Sequence, residues 1–128
     1  IRKMDFTSFN SAQQNMEFDI ALAAWTGDYL DPTTFLLMWT NGNGNNNTGW
    51  SNPRYDELMR TATREPDTAR RIAAMQEAES LLLAELPIIP IFWRMNSHLI
   101  RPELKNWKHS VISHRCYKAL DLAPFNKP

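Results

Sequence analysis

Apolar positions alternate with polar or small ones along Phe18-Asp19-Ile20-Ala21-Leu22-Ala23-Ala24-Trp25, so that Phe18, Ile20 and Leu22 share one side. A period of two predicts a strand with one face toward a core. Gly27 ends it. Asp31-Pro32 then predicts a turn and a helix start, with Pro32 at the first helical position. Thr33 to Trp39 follows as a short helix presenting Phe35, Leu36, Met38 and Trp39.

The period changes further along. Ser51-Asn52-Pro53 has the chemistry of a helix cap with proline at the first turn. Beyond it Tyr55, Leu58, Met59 and Ala62 fall on one helical face, with Arg54, Asp56, Glu57 and Arg60 toward water. Glu65-Pro66-Asp67 closes that helix and opens another. From Asp67 to about Leu86, the residues Ile72, Met75, Glu79, Leu82, Leu83 and Leu86 follow helical spacing, with Arg70, Arg71 and Glu77 outside. Pro87 stops the helix. Ile88 to Met95 reads as a buried-type strand whose prolines favour an edge or a sheet entry. His98-Leu99-Ile100-Arg101 and Tyr117 to Leu122 read as further short strands, and residues 1–16 as the end of a helix. This is an α/β order with too few strands for a full sheet, which suggests one lobe's share of a larger one.

Between the short helix and the helical pair lies Asn41-Gly42-Asn43-Gly44-Asn45-Asn46-Asn47-Thr48-Gly49, a flexible surface loop by chemistry. It carries no carboxylate and no closing Glu, so it is not an EF-hand. Asn46-Asn47-Thr48 matches a glycosylation sequon, a tripeptide frequent by chance.

Length and composition narrow the function. The 128 residues suffice for one domain with a real core. Fourteen basic and fourteen acidic residues balance to zero net charge, without the basic excess that marks a nucleic-acid binder. Cys116 is the single cysteine, so no internal disulfide forms. No apolar run approaches a membrane span, and Ile1-Arg2-Lys3 leads into polar residues rather than a signal peptide. The chain reads as a processed or truncated piece that begins inside something longer.

Candidate chemistry centres on Trp25-Thr26-Gly27-Asp28-Tyr29-Leu30-Asp31-Pro32. Asp28 and Asp31 could be a hydrolase acid pair, but such carboxylates come from different elements across a cleft. Asp31 before Pro32 has the position of a helix cap. Asp28, beyond the strand and three residues after Trp25, could receive a cation beside an aromatic wall, or could make a local turn hydrogen bond. His109, His114 and Cys116 do not match a zinc spacing, and no nucleotide, hydrolase or metalloprotease motif occurs. No catalytic residue, metal site or cofactor is assigned.

Phe18-Asp19-Ile20-Ala21, the stretch from Trp25 to Phe35, Asn45 to Leu58, Arg70-Arg71, Gln76-Glu77-Ala78-Glu79 and Leu86 to Phe92 recur in an order that closely resembles one known family. It is the C-terminal region of the periplasmic oligopeptide- and dipeptide-binding proteins, the extracytoplasmic solute-binding family 5 of ABC importers. The resemblance spans about residues 15–122. It implies the C-terminal part of a type II periplasmic-binding-protein-like two-lobe α/β fold, with about 1–95 in the second lobe and about 96–128 returning toward the first. It implies a peptide ligand, an ABC permease as partner, and a periplasmic or extracytoplasmic site, with any lipid anchor outside this chain. Through the W-x-x-D pattern it implies that Asp28 pairs with the ligand's ammonium group while Trp25, Thr26 and Gly27 line the cleft. Leu22 stands where some oligopeptide binders carry an arginine. Binders of nickel, haem or sugars, and a sensor without transport, are the alternatives within this resemblance.

Overall fold

Asp5 opens the first helix by accepting the N–H groups of Thr7 and Ser8, which have no partner inside the helix. In the computed structural model, residues 1–93, 95, 97–108, 110 and 117–124 are described. The elements among them are α1 (Phe6–Gln14), α2 (Thr33–Leu36) continued by a 3-10 turn (Leu37–Trp39), α3 (Pro53–Arg64), α4 (Thr68–Glu85), β1 (Leu104–Lys105), a second 3-10 turn (Tyr117–Ala119) and β2 (Asp121–Leu122). The two short strands are antiparallel, with Leu104 opposite Leu122 and Lys105 opposite Asp121. None of the described helices is long and apolar enough to cross a membrane.

The core is the α3–α4 hairpin. Asn52 caps α3 by accepting from the N–H groups of Arg54 and Tyr55, and Asp67 caps α4 by accepting from that of Arg70. All four apolar residues expected on the inner face of α3 (Tyr55, Leu58, Met59 and Ala62) are buried. On α4 the buried stripe is Ala74, Met75, Ala78 and Leu82. The expected stripe had included Ile72, Leu83 and Leu86, which are 44%, 39% and 61% exposed. Met75 and Leu82 bury as expected, but the small alanines at 74 and 78, rather than Ile72, Leu83 and Leu86, complete the buried face. Leu86 ends α4 in the left-handed conformation, with φ 55°, and its N–H donates to the Leu82 carbonyl.

The sequence expectations for strands fare differently. Phe18 to Trp25, the described residues of 88–95, and His98 to Arg101 form no ladder among the described residues. Ile20 and Leu22 are 88% and 74% exposed, so the alternation is real but faces no sheet among the described residues. An extended segment becomes a strand only when a neighbour takes its backbone donors and acceptors. β2 does fall within the expected last strand, and it pairs with Leu104–Lys105, a segment not read as a strand from the sequence.

Side chains also organise the loop read as flexible. Asn46 Nδ2 donates to the carbonyls of Trp50 at 2.9 Å, Trp39 at 3.2 Å and Thr40 at 3.5 Å. Its Oδ1 accepts from the Thr48 hydroxyl at 2.7 Å. The sequon asparagine is thus the keystone of the loop. At the loop's exit, Glu85 receives the Trp50 indole N–H and the Asn52 amide, each at 2.7 Å, which ties the loop to the end of α4.

Candidate functional site

The segment from Trp25 to Asp31 leaves the extended stretch and folds against the first turn of α2. Gly27 is buried there. A Cβ on it would lie 3.0 Å from Thr34 Cγ2 and 3.2 Å from Phe35 Cζ, so any larger residue would have to push these two side chains back. The next N–H, that of Asp28, donates to Thr34 Oγ1 at 2.9 Å. Backbone packing at 27 and the hydrogen bond from the Asp28 N–H therefore fix the chain where it enters Asp28. The Asp28 side chain itself is exposed, and its carboxylate receives no hydrogen bond among the described residues. Trp25, 41% exposed, and Thr26, also exposed, lie immediately before it.

Asp31 is occupied otherwise. Its Oδ1 accepts from the Thr33 N–H at 3.0 Å and the Thr33 hydroxyl at 2.6 Å, which is the helix cap expected of it. Arg71 Nη2 also donates to that oxygen at 2.7 Å. Arg71 had been placed outside with Arg70; it instead turns inward, and its Nε donates to the Ala62 carbonyl in α3 at 3.0 Å. One guanidinium therefore joins α3, α4 and the 25–31 segment. The Arg71 hydrogen bond first, and the Thr33 hydroxyl after it, hold the Asp31 carboxyl well below the usual carboxylate range. A carboxylate kept ionised in this way does not serve as a general acid, and of the pair Asp28/Asp31 only Asp31 has side-chain partners among the described residues.

The direction of that shift carries a pH prediction. A depressed carboxyl contributes stability above its unfolded value, near pH 4, and loses it as the pH falls toward the folded value. The stability gap between the native chain and Asp31→Asn should be open near neutral pH and close under acid. Urea titrations at both pH values read it, and a gap that widens on acidification would contradict the pairing.

Trp25, Thr26, Gly27 and Asp28 thus form one stretch, exposed except at Gly27, with Thr34 and Phe35 as its supports and Arg71 holding the Asp31 that follows. Thr34, Phe35 and Arg71 were missed in these roles because the sequence shows which residues are polar, not which element they reach. The Thr-Thr-Phe run directly after the Asp31 cap was the available signal for Thr34. His109, His114 and Cys116 lie outside the described residues; among those described, no group of three His, Cys, Asp or Glu could hold a metal ion. A shallow groove lined by Glu57, Arg60, Thr61, Arg64, Glu65 and Pro66 shares no residue with this stretch.

No family model matches the chain. Among curated proteins, it is 35% identical over 105 residues to the dipeptide-binding protein DppE of Bacillus subtilis, an alignment covering 82% of this chain and 19% of that protein. It is 32% identical over 107 residues to the periplasmic murein peptide-binding protein MppA of Escherichia coli, covering 84% of this chain and 20% of that one. The solved unliganded open form of MppA shares the fold with a TM-score of 0.73 at 33% identity, over 81% of this chain and 20% of that chain. The chain spans about a fifth of the length of these relatives, which by name are binding proteins.

Proposed function

We propose, from the likeness of about four fifths of its length to the dipeptide- and murein peptide-binding proteins, that the chain belongs to the extracytoplasmic solute-binding proteins of family 5, shares their type II periplasmic-binding-protein fold and forms part of a peptide receptor serving an ABC importer. In this reading about 1–95 is a portion of the second lobe and about 96–128 returns toward the first. Peptide binds in the cleft between the lobes, outside the cytoplasm, and closure presents the complex to a membrane permease. The protein is a receptor and not an enzyme.

The observation that carries the assignment is the contrast between the two aspartates. Asp31 has its partners inside the fold. Asp28 has its backbone N–H fastened and its carboxylate without a hydrogen bond among the described residues, the arrangement of an acceptor positioned in advance for a cation. A peptide's terminal ammonium offers three N–H donors and a full charge, so a charge-assisted hydrogen bond to Asp28 fixes which end of the ligand lies there. The exposed Trp25 ring supplies an aromatic wall beside it. Along residues 20–26 no backbone group is paired with another described residue. That stretch is open to main-chain pairing with an extended peptide, which tolerates varied ligand side chains.

Asp28→Asn keeps the shape and removes the charge. In the receptor at the full length of its relatives, calorimetric titration should show peptide affinity reduced about tenfold to a hundredfold, the worth of one charge-assisted hydrogen bond. An N-acetylated peptide should already have lost that increment and be insensitive to the substitution. Unchanged affinity for free-amine peptides would remove Asp28 from the site.

A further inference from the structure

The loop after the α2 turn contains the same dipeptide twice, Asn41-Gly42 and Asn43-Gly44. In such a pair the backbone nitrogen of the glycine can reach the asparagine side-chain carbonyl carbon, and no side chain on the glycine obstructs it. The fold treats the two copies differently. Asn43 is held at both ends of its amide: Nδ2 donates to the Leu37 carbonyl at 3.0 Å, and Oδ1 accepts from the Asn45 N–H at 3.0 Å. Asn41 is exposed, and its side chain makes no hydrogen bond among the described residues. Gly42 sits at φ 76°, and neither it nor Gly44 has a heavy atom within 4 Å of the place a Cβ would occupy, so the two copies differ in their asparagine side chains and not in crowding at the glycine Cβ position. The Gly42 N–H donates to no described backbone acceptor.

We propose that Asn41 is a site of spontaneous covalent modification, converting through a cyclic imide to aspartate or isoaspartate, and that Asn43 is protected by its two hydrogen bonds. In the first step the Gly42 nitrogen gives up its proton to base and bonds to Asn41 Cγ. The Cγ–Nδ2 bond breaks, and the nitrogen departs as ammonia carrying the proton returned to it. Water then adds to either carbonyl of the five-membered ring and opens it. Each conversion exchanges a neutral amide for a carboxylate, with no oxidation or reduction.

The new charge has an unfavourable neighbour. The Asn41 N–H donates to Asp56 Oδ1 at 2.9 Å, in the first turn of α3, so a carboxylate formed at 41 lies next to another. An isoaspartate also lengthens the main chain at the point where the loop is tied to α3. The modified chain carries one more negative charge than the balanced original.

The test compares the twin dipeptides within one molecule. Native protein is incubated at mildly alkaline pH and mapped by proteolysis and mass spectrometry, beside a sample held in denaturant. In the native sample the amide-to-acid mass gain should accumulate at Asn41 about tenfold faster than at Asn43, the effect of two ordinary hydrogen bonds that must first break. In denaturant the two rates should converge. Asn41→Gln should abolish the fast component and leave the slow one. Equal native rates, faster reaction at Asn43, or a native Asn41 that stays intact while the denatured one converts would each overturn the proposal.

Discussion

Tyr55→Ala should destabilise the protein by about 3–5 kcal/mol, the range for truncating a fully buried aromatic. Tyr55 has no exposed surface, and its ring meets Trp50 edge-on at a centroid distance of 5.0 Å. Truncation removes that packing and opens a void where α3, α4 and the α2 turn meet. The hydroxyl has a separate role. It donates to the Leu36 carbonyl at 2.7 Å, at the end of α2, where no helical partner is available. Burial raises its pKa above the ordinary tyrosine value, so it remains a donor across the working pH range. Tyr55→Phe should therefore cost less, about 1–3 kcal/mol, by leaving that carbonyl dry and unpaired. Urea titrations of the three proteins give the order directly. A phenylalanine variant as unstable as the alanine one would assign the whole effect to the hydrogen bond and contradict the packing account.

Asn46→Asp should be nearly as damaging for its size, about 2–3 kcal/mol, although it alters a single group. The amide nitrogen of Asn46 faces three carbonyl oxygens, of Trp39, Thr40 and Trp50. A carboxylate oxygen in its place meets acceptors with an acceptor, and the loop must open to hydrate it. Acidification provides the control. A protonated carboxyl recovers one donor, so the deficit against the native protein should shrink as the pH falls below about 4. Asn46→Ala should show a smaller deficit without that pH trend. If both variants match the native protein, the loop does not depend on this side chain.

How much of this was legible in the sequence depended on the range of the cause. The α3 face could be read because capping, the proline at the first turn and the apolar spacing are all local, and Tyr55, Leu58, Met59 and Ala62 bury as expected. Asp31 was legible as a cap for the same reason. Its ion pair was not, because Arg71 stands 40 residues away and nothing local distinguishes it from Arg70. On α4 the large side chains of Ile72 and Leu83 outweighed the alanines that complete the buried face. The alternation at Phe18 to Leu22 was read correctly as a pattern, but a ladder is a property of two segments and one sequence window describes only its own half. The stretch from Trp25 to Asp28 was singled out as a candidate through motif resemblance. What holds it in place, Gly27 against Phe35 and Asp28 N–H on Thr34, required coordinates.

The three-way reach of Arg71 has a mechanical consequence. Any pull on the Asp28 carboxylate passes through the Thr34 hydroxyl into α2, from Asp31 into the guanidinium, and from there into both helices of the hairpin. A receptor built on this segment would carry that charge as a fixed lever through lobe closure, and would fit ligands of different length by moving the opposite wall and its water.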